Sequence, residues 1–140
     1  MRLFLMSRRV LFLLALLSLP FLMAHGGGGC GGDEESVFGP PTQSVCPNGS
    51  TITYANFGQA FMTQYCTRCH SSELVGAARN GAPKFHDFDT VGGIRSVSDH
   101  VDQTAASGPA STNTSMPPSG PIPTEDERKK LGEWLQCGAP

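Results

Sequence analysis

Residues 65–71 read YCTRCHS, in which two cysteines stand three positions apart and a histidine directly follows the second. Thiol and imidazole groups bind metals, and a C-x-x-C pair also forms redox-active disulfides. The stretch therefore raises three possibilities: a metal site, a thiol–disulfide pair, or a place where a cofactor is covalently attached.

The order C-x-x-C-H is the attachment signature of c-type haem. Two thiols add to the two vinyl groups of one porphyrin edge, and the next residue lies where its imidazole can reach the iron. We therefore expect Cys66 and Cys69 to form the thioether bonds to one haem c and His70 to be the proximal iron ligand.

The two competing interpretations have less support from the sequence. A structural zinc site needs a second pair of ligands, and the spacing of His86 and His100 matches no common zinc pattern. A thioredoxin-like pair normally lies at a strand-to-helix junction in a βαβ unit, and the sequence predicts no such unit. A disulfide between Cys66 and Cys69 would strain a helical backbone.

The chain has 140 residues, enough for one domain, and its beginning predicts export. Residues 1–29 combine three arginines with an apolar run at 10–24, a pattern typical of a signal peptide. Residues 30–45 are rich in Gly, Pro and acidic residues, which predicts a flexible tether. The folded domain is then expected at 46–140.

The charge of the exported part argues against one class of partner. Residues 30–140 contain 7 Lys+Arg against 12 Asp+Glu, a formal charge of −5. This acidic balance argues against nucleic acid as a partner and favours salt-sensitive encounters with basic surfaces.

Three segments predict helices, and none alternates as a strand does, so the expected fold class is all-α. Apolar residues recur at helical spacing in 53–71 and 89–109. The last helix begins with a T-x-x-E capping box at Thr124 and carries an apolar stripe that ends at Leu135. These stripes bury little surface by themselves, so a haem would supply the missing core.

The second axial ligand is sought in residues 107–123, where five prolines forbid a helix. Met116 offers a soft thioether from this loop, so it is the first choice. His100, in the middle helix, is the rival. Met62 lies in the helix before the motif and is expected in the core, whereas His86 is expected at the surface or beside a propionate.

With these residues in place, positions 54–137 resemble the class I (mono-haem) cytochrome c family. Gly58 and Met62 precede Cys66 by eight and four residues, close to the family's helix pattern, and Leu131 and Trp134 match the contact residues of its last helix. The resemblance implies a small cytochrome c fold, with three main helices and long loops wrapped around one covalently bound haem.

The resemblance also implies roles for further residues. The carbonyl of Pro83 would accept the imidazole N–H of His70, and Arg79 would contact a haem propionate. In one departure from the common pattern of the family, Cys46 and Cys137 flank the two terminal helices, which this fold would bring together, so we expect a disulfide between them. The alternative is two buried free thiols. The implied function is electron transfer by a monomer between a redox protein donor and acceptor, without enzyme activity. The alternative is a haem-based sensor or peroxidase-like protein in which Met116 is labile.

Cys30 resembles the modified cysteine of a bacterial lipoprotein, because it follows a signal peptide and opens the tether. Gly27 stands where the usual lipobox has Leu, which leaves cleavage close to Ala24 as the alternative. The expected location is the periplasm, or an envelope membrane that holds the protein through lipid on Cys30.

Overall fold

The structure is a computed structural model that describes residues 38–140. Within this range it is helical and contains no strand, apart from one isolated bridge between Ser107 and Thr112. The fold class is therefore all-α, as predicted. The signal peptide, Cys30 and residues 30–37 of the tether lie outside the described residues.

The first helical segment leads into the cysteine motif. A π-helical turn at Tyr54–Gly58 runs directly into helix α1, Gln59–Tyr65. Thr53 and Asn56 cap the segment reciprocally, which fixes its start at the predicted residue. The motif then continues as hydrogen-bonded turns, since the amides of Cys69 and His70 both donate to the carbonyl of Cys66. The predicted helix 53–71 is therefore shorter than expected.

The middle helix is divided in two. Helix α2, Val91–Ser96, and helix α3, Ser98–Ala105, meet at Val97, whose φ of −135° and ψ of 30° are not helical. Helix α3 ends before the expected Gly108–Pro109 stop, because Ala106 is extended and the amide of Ser107 donates to the carbonyl of Arg128. Helix α3 therefore ends three residues before Gly108.

Helix α4, Glu125–Gln136, confirms the predicted capping box, with Thr124 and Glu127 each accepting from the other's backbone amide. A single apolar core joins it to α1, α2 and α3. Its buried members are Phe61, Met62, Tyr65, Phe88, Ile94, Val101, Ala105, Ala106, Leu131, Trp134, Leu135 and Ala139.

The approach of the first helical segment to α4 depends on Gly58. Trp134 is fully buried, and a Cβ atom placed on Gly58 would lie 2.5 Å from the indole Cζ2. Real Cβ atoms do not come this close to a ring, so the backbone can reach the indole face only where a side chain is missing. Phe57 also meets the indole edge-on at 6.2 Å.

Cys46 and Cys137 lie at disulfide distance, with Cα atoms 4.8 Å apart and sulfurs 1.97 Å apart. This agrees with the expected pairing. The bond joins the start of the domain to the end of α4 across 91 positions of sequence.

Residues 38–44, named here the N-terminal strap, pack against α3 although their composition predicts a tether. Thr42 is fully buried, and both its amide and its hydroxyl donate to the Asp102 carboxylate, at 2.8 and 2.6 Å. The amide of Gly39 donates to the carbonyl of Gln103 at 2.7 Å. The compact part of the chain therefore begins before residue 46. Composition could not predict this, because it depends on hydrogen bonds between the strap and α3.

Within residues 38–140, every helix is too short or too polar to span a bilayer.

Replacing Gly58 with Ala should lower the free energy of unfolding by about 1–3 kcal/mol, because the added methyl group overlaps the Trp134 ring. Gly92 is the matched control: it lies inside α2, and no atom comes within 4 Å of an added Cβ. Gly92→Ala should be neutral or stabilising. Urea unfolding measures both, and equal effects of the two substitutions would contradict the close approach.

Replacing both Cys46 and Cys137 with Ser should lower the free energy of unfolding by about 4–5 kcal/mol, since the bond closes a long loop in the unfolded chain. Denaturant unfolding of the parent and the double variant tests this. Peptide mapping without reductant supplies the control, and alkylation of both thiols in the parent would show that the bond does not form.

Candidate functional site

One cavity brings together most of the side chains to which the sequence assigns a function. Its volume is about 310 Å³, within the range of roughly 300–1,000 Å³ typical of small-molecule sites. Its lining is largely apolar and includes both motif cysteines. The lining residues used below are Phe38, Cys66, Arg68, Cys69, His70, Pro83, His86, Phe88, His100 and Met116.

Cys66 and Cys69 are free thiols that line the cavity, held there by the turns that follow α1. Burial raises the pKa of Cys66 to about 12, and the positive charges of Arg128 and Arg68 oppose this only in part. The Cys66 side chain is therefore a neutral thiol near pH 7, unlike the reactive thiolate of a disulfide-exchange site.

His70 has a defined orientation and tautomer. Its Nδ1 lies 3.2 Å from the carbonyl oxygen of His86, and because a carbonyl can only accept, Nδ1 must carry the proton. The lone pair of Nε2 is then available, and among residues 38–140 no hydrogen-bond partner occupies it. Burial lowers the pKa of His70 below its usual value, which favours the neutral imidazole that binds metals.

Phe88 also fixes the imidazole of His70. The two rings are stacked with centroids 4.6 Å apart and planes 12° apart, and the amide of Phe88 donates to the carbonyl of His70 at 2.8 Å. Phe88 was not predicted as a site residue, because the sequence does not distinguish it from Phe85, an exposed phenylalanine of the same loop.

Arg79 is buried in the loop that follows the motif, and its contact with a propionate stays a prediction. Its guanidinium donates to backbone carbonyls of Ser71, Pro83 and His86, and to the carboxylate of Asp87 at 2.8 Å. Arg79 and His70 thus donate to the same His86 carbonyl. The guanidinium organises the loop that orients the imidazole.

The carbonyl that accepts from His70 belongs to His86, three residues after the predicted Pro83. The carbonyl of Pro83 receives an Arg79 N–H at 2.7 Å, while the carbonyl of His86 receives the imidazole N–H. The predicted kind of interaction is present, since a backbone carbonyl orients the ring, but the residue that supplies it differs. Arg79 donates to the Pro83 carbonyl instead, and no local pattern predicts this bond.

Asp89 holds the residues that follow His70. Its Oδ2 accepts from the hydroxyl of Ser71 and from both the amide and the hydroxyl of Ser72. These bonds, the Ser72 hydroxyl foremost, lower the pKa of Asp89. The exit from the motif is therefore fixed independently of Arg79.

Met116 lines the same cavity from the proline-rich loop, 46 positions after His70. Its amide donates to the carbonyl of Thr104 at 2.9 Å, and its carbonyl accepts from Arg128 at 3.0 Å. Both backbone polar groups are thus tied to helical segments. A loop without regular structure presents this side chain from a fixed backbone position.

The rival ligands have different positions. Met62 is buried in the core and is not among the lining residues, as expected. His100 is exposed at the cavity, with its ring 4.6 Å from that of Phe38 and 5.3 Å from that of His86. His86 likewise lines the cavity rather than only the surface, so both histidines contribute to it.

The lining fits a covalently attached haem. It contains two free thiols, an imidazole with an available Nε2 and a thioether, within one largely apolar cavity. Within residues 38–140, no group of three or more His, Cys, Asp or Glu side chains is close enough to hold a metal ion.

Comparison with known proteins gives no match: no family model, no curated protein and no solved structure is similar to this chain.

Replacing Arg79 with Lys should lower the free energy of unfolding by about 1.5–3 kcal/mol, because one ammonium cannot serve the carbonyls and the Asp87 carboxylate together. Lys84→Ala, at an exposed position in the same loop, is the control and should change stability by less than about 0.5 kcal/mol. Denaturant unfolding measures both. An Arg79→Lys variant as stable as the parent would show that the guanidinium network does not hold the loop.

Proposed function

We propose that this chain is an exported mono-haem c-type cytochrome that carries single electrons between redox partners in the cell envelope. The observation that carries the proposal is the convergence of Cys66, Cys69, His70 and Met116 on one apolar cavity. A C-x-x-C-H motif without a cofactor requires no adjoining apolar cavity, whereas a haem attached to the motif requires one.

In this proposal Cys66 and Cys69 form the two thioether bonds, while His70 and Met116 are the axial ligands of the iron. Haem iron supplies one-electron chemistry when bound. The chain holds the imidazole through the His86 carbonyl and the thioether through its backbone anchors, so neither ligand need move. Ligation by His and Met raises the reduction potential relative to two histidines.

The proposed fold is a small cytochrome c fold, in which the three main helical regions and the long loops enclose the haem. The contact of Gly58 with Trp134 supports it, since the resemblance implies that the first and last helices cross. The core of twelve buried apolar residues is small, and a haem would add apolar surface to it.

The partners we propose are a redox protein donor and acceptor, met one at a time by a monomer. The acidic balance of residues 30–140 favours partners with basic surfaces. Lipid on Cys30 would hold the domain at an envelope membrane.

A second candidate is a haem-based sensor or peroxidase-like protein with a labile Met116. The observation that favours it is the presence of His86 and His100 at the same cavity, where imidazoles could hydrogen-bond a bound small molecule or replace the thioether. His100 is exposed, whereas the backbone of Met116 is anchored at both ends, and this favours electron transfer.

The test is a set of optical spectra of protein matured with haem attachment. The parent should show the weak far-red ferric band of sulfur–iron ligation and should not bind carbon monoxide readily. Met116→Leu should lose that band and bind carbon monoxide, because one axial position opens. Met62→Leu, a buried methionine outside the cavity, is the matched control and should keep the band.

Three outcomes would change the assignment. A band that survives in Met116→Leu would exclude Met116 as the ligand. Loss of haem ligation in His100→Leu with retention in Met116→Leu would assign His100 instead. Rapid binding of carbon monoxide by the parent protein would favour the sensor.

A further inference from the structure

Arg128 is a buried cation within the apolar face of α4. Only 2% of its surface is exposed, although residues 124–126 at the start of the helix are exposed. Leu131 and Leu135 lie three and seven positions later, so Arg128 occupies the same buried face. A charged residue this deeply buried requires polar partners.

The partners are three backbone carbonyls from two other segments. The Nη1 group of Arg128 donates to Ala105 at 2.7 Å, to Asn113 at 2.9 Å and to Met116 at 3.0 Å. Ala105 ends α3, and the other two belong to the loop that presents Met116. One guanidinium nitrogen therefore joins α4, α3 and this loop at a single point.

The charge of Arg128 is not neutralised by these partners. Among residues 38–140, no carboxylate forms an ion pair with it, and its buried Nη2 has no hydrogen-bond partner. The charge nevertheless lies next to the cavity, since Nη1 donates to the backbone carbonyl of Met116, a lining residue. An arginine keeps its proton even in such surroundings.

We propose that Arg128 is a positioning residue that holds Met116 for axial ligation and whose unpaired buried charge favours the reduced state of the centre. The inference rests on the proposed function. In this inference a residue of α4 sets the position of Met116, which lies in the preceding loop.

The positioning role follows from the three bonds. The loop between α3 and α4 has no regular structure, so the place of its backbone is set by individual hydrogen bonds. Loss of the bond to the Met116 carbonyl leaves the amide–Thr104 bond as the remaining backbone anchor of this residue. The thioether would then be displaced more readily by an external ligand.

The electrostatic role follows from Coulomb's law at low effective dielectric. An oxidised centre carries one more positive charge than a reduced one, and a fixed cation nearby penalises that charge. The exposed lysines of α4 act through water, which screens them. Removal of the Arg128 charge should therefore stabilise the oxidised state.

The experiment compares Arg128→Met, Arg128→Lys and Lys130→Met in haem-loaded full-length protein. Lys130→Met removes one positive charge from the exposed side of the same helix and is the matched control. Imidazole titration of the ferric protein measures displacement of Met116, and redox titration measures the potential. Thermal unfolding is recorded for every variant.

In Arg128→Met, imidazole should bind about tenfold more tightly or better, as expected for loss of a charge-assisted hydrogen bond. The equilibrium constant for reduction should fall about tenfold, which is about 59 mV for one electron. Arg128→Lys keeps the charge without the fork, so it should retain most of the potential while its imidazole affinity rises. Lys130→Met should resemble the parent in both measurements.

The inference is overturned if Arg128→Met and Lys130→Met match in imidazole affinity and potential. It is also overturned if both Arg128 variants fail to fold, since this would assign Arg128 to stability alone. These failures differ from failure of the proposed function, in which the parent itself would lack haem or the sulfur–iron band.

Discussion

The hydrogen bond from Nδ1 of His70 to the carbonyl of His86 is the interaction on which the site depends. It fixes the tautomer of the imidazole, leaves Nε2 available at the cavity and sets the plane of the ring against Phe88. The bond requires the His86 carbonyl to point inward from a loop that has no strand or long helix to hold it. Arg79 holds this carbonyl in place, because its guanidinium donates to it and to other carbonyls of the same loop.

Arg79 and Arg128 serve the two halves of the site in similar ways. Each is buried, and each guanidinium donates to at least three backbone carbonyls, of which two or more belong to a loop that carries or follows a candidate axial ligand. Arg79 is paired with Asp87, whereas Arg128 has no carboxylate partner within residues 38–140. In a domain with short helices, guanidinium groups thus hold the loop backbones that no sheet or long helix holds. Because Asp87 offsets the charge of Arg79 and no carboxylate of residues 38–140 offsets that of Arg128, we expect the two arginines to differ in their electrostatic effect on the cavity.

Local signals predicted the elements with short-range causes. The capping box at Thr124, the apolar face of α4 and the start of the first helical segment at Thr53 all depend on residues within one or two turns, and the structure has them where the sequence placed them. Long-range partners were harder to foresee. The burial of Thr42 against Asp102, the use of the Pro83 carbonyl by Arg79 and the bonds of Arg128 join positions that no periodicity connects. Of these residues, only Arg128 could have been placed from the sequence, because its spacing to Leu131 and Leu135 puts it on the buried face of α4.

The central claim is that Cys66 and Cys69 are covalently joined to one haem, and the mass of the denatured protein tests it most directly. Protein produced with haem-attachment machinery should be unfolded in denaturant, reduced, treated with a thiol-alkylating reagent and measured by mass spectrometry. The account predicts the mass of the exported chain, with any lipid, plus one haem, and no alkylation at Cys66 or Cys69. A chain without the added haem, with both of these thiols alkylated, would contradict it.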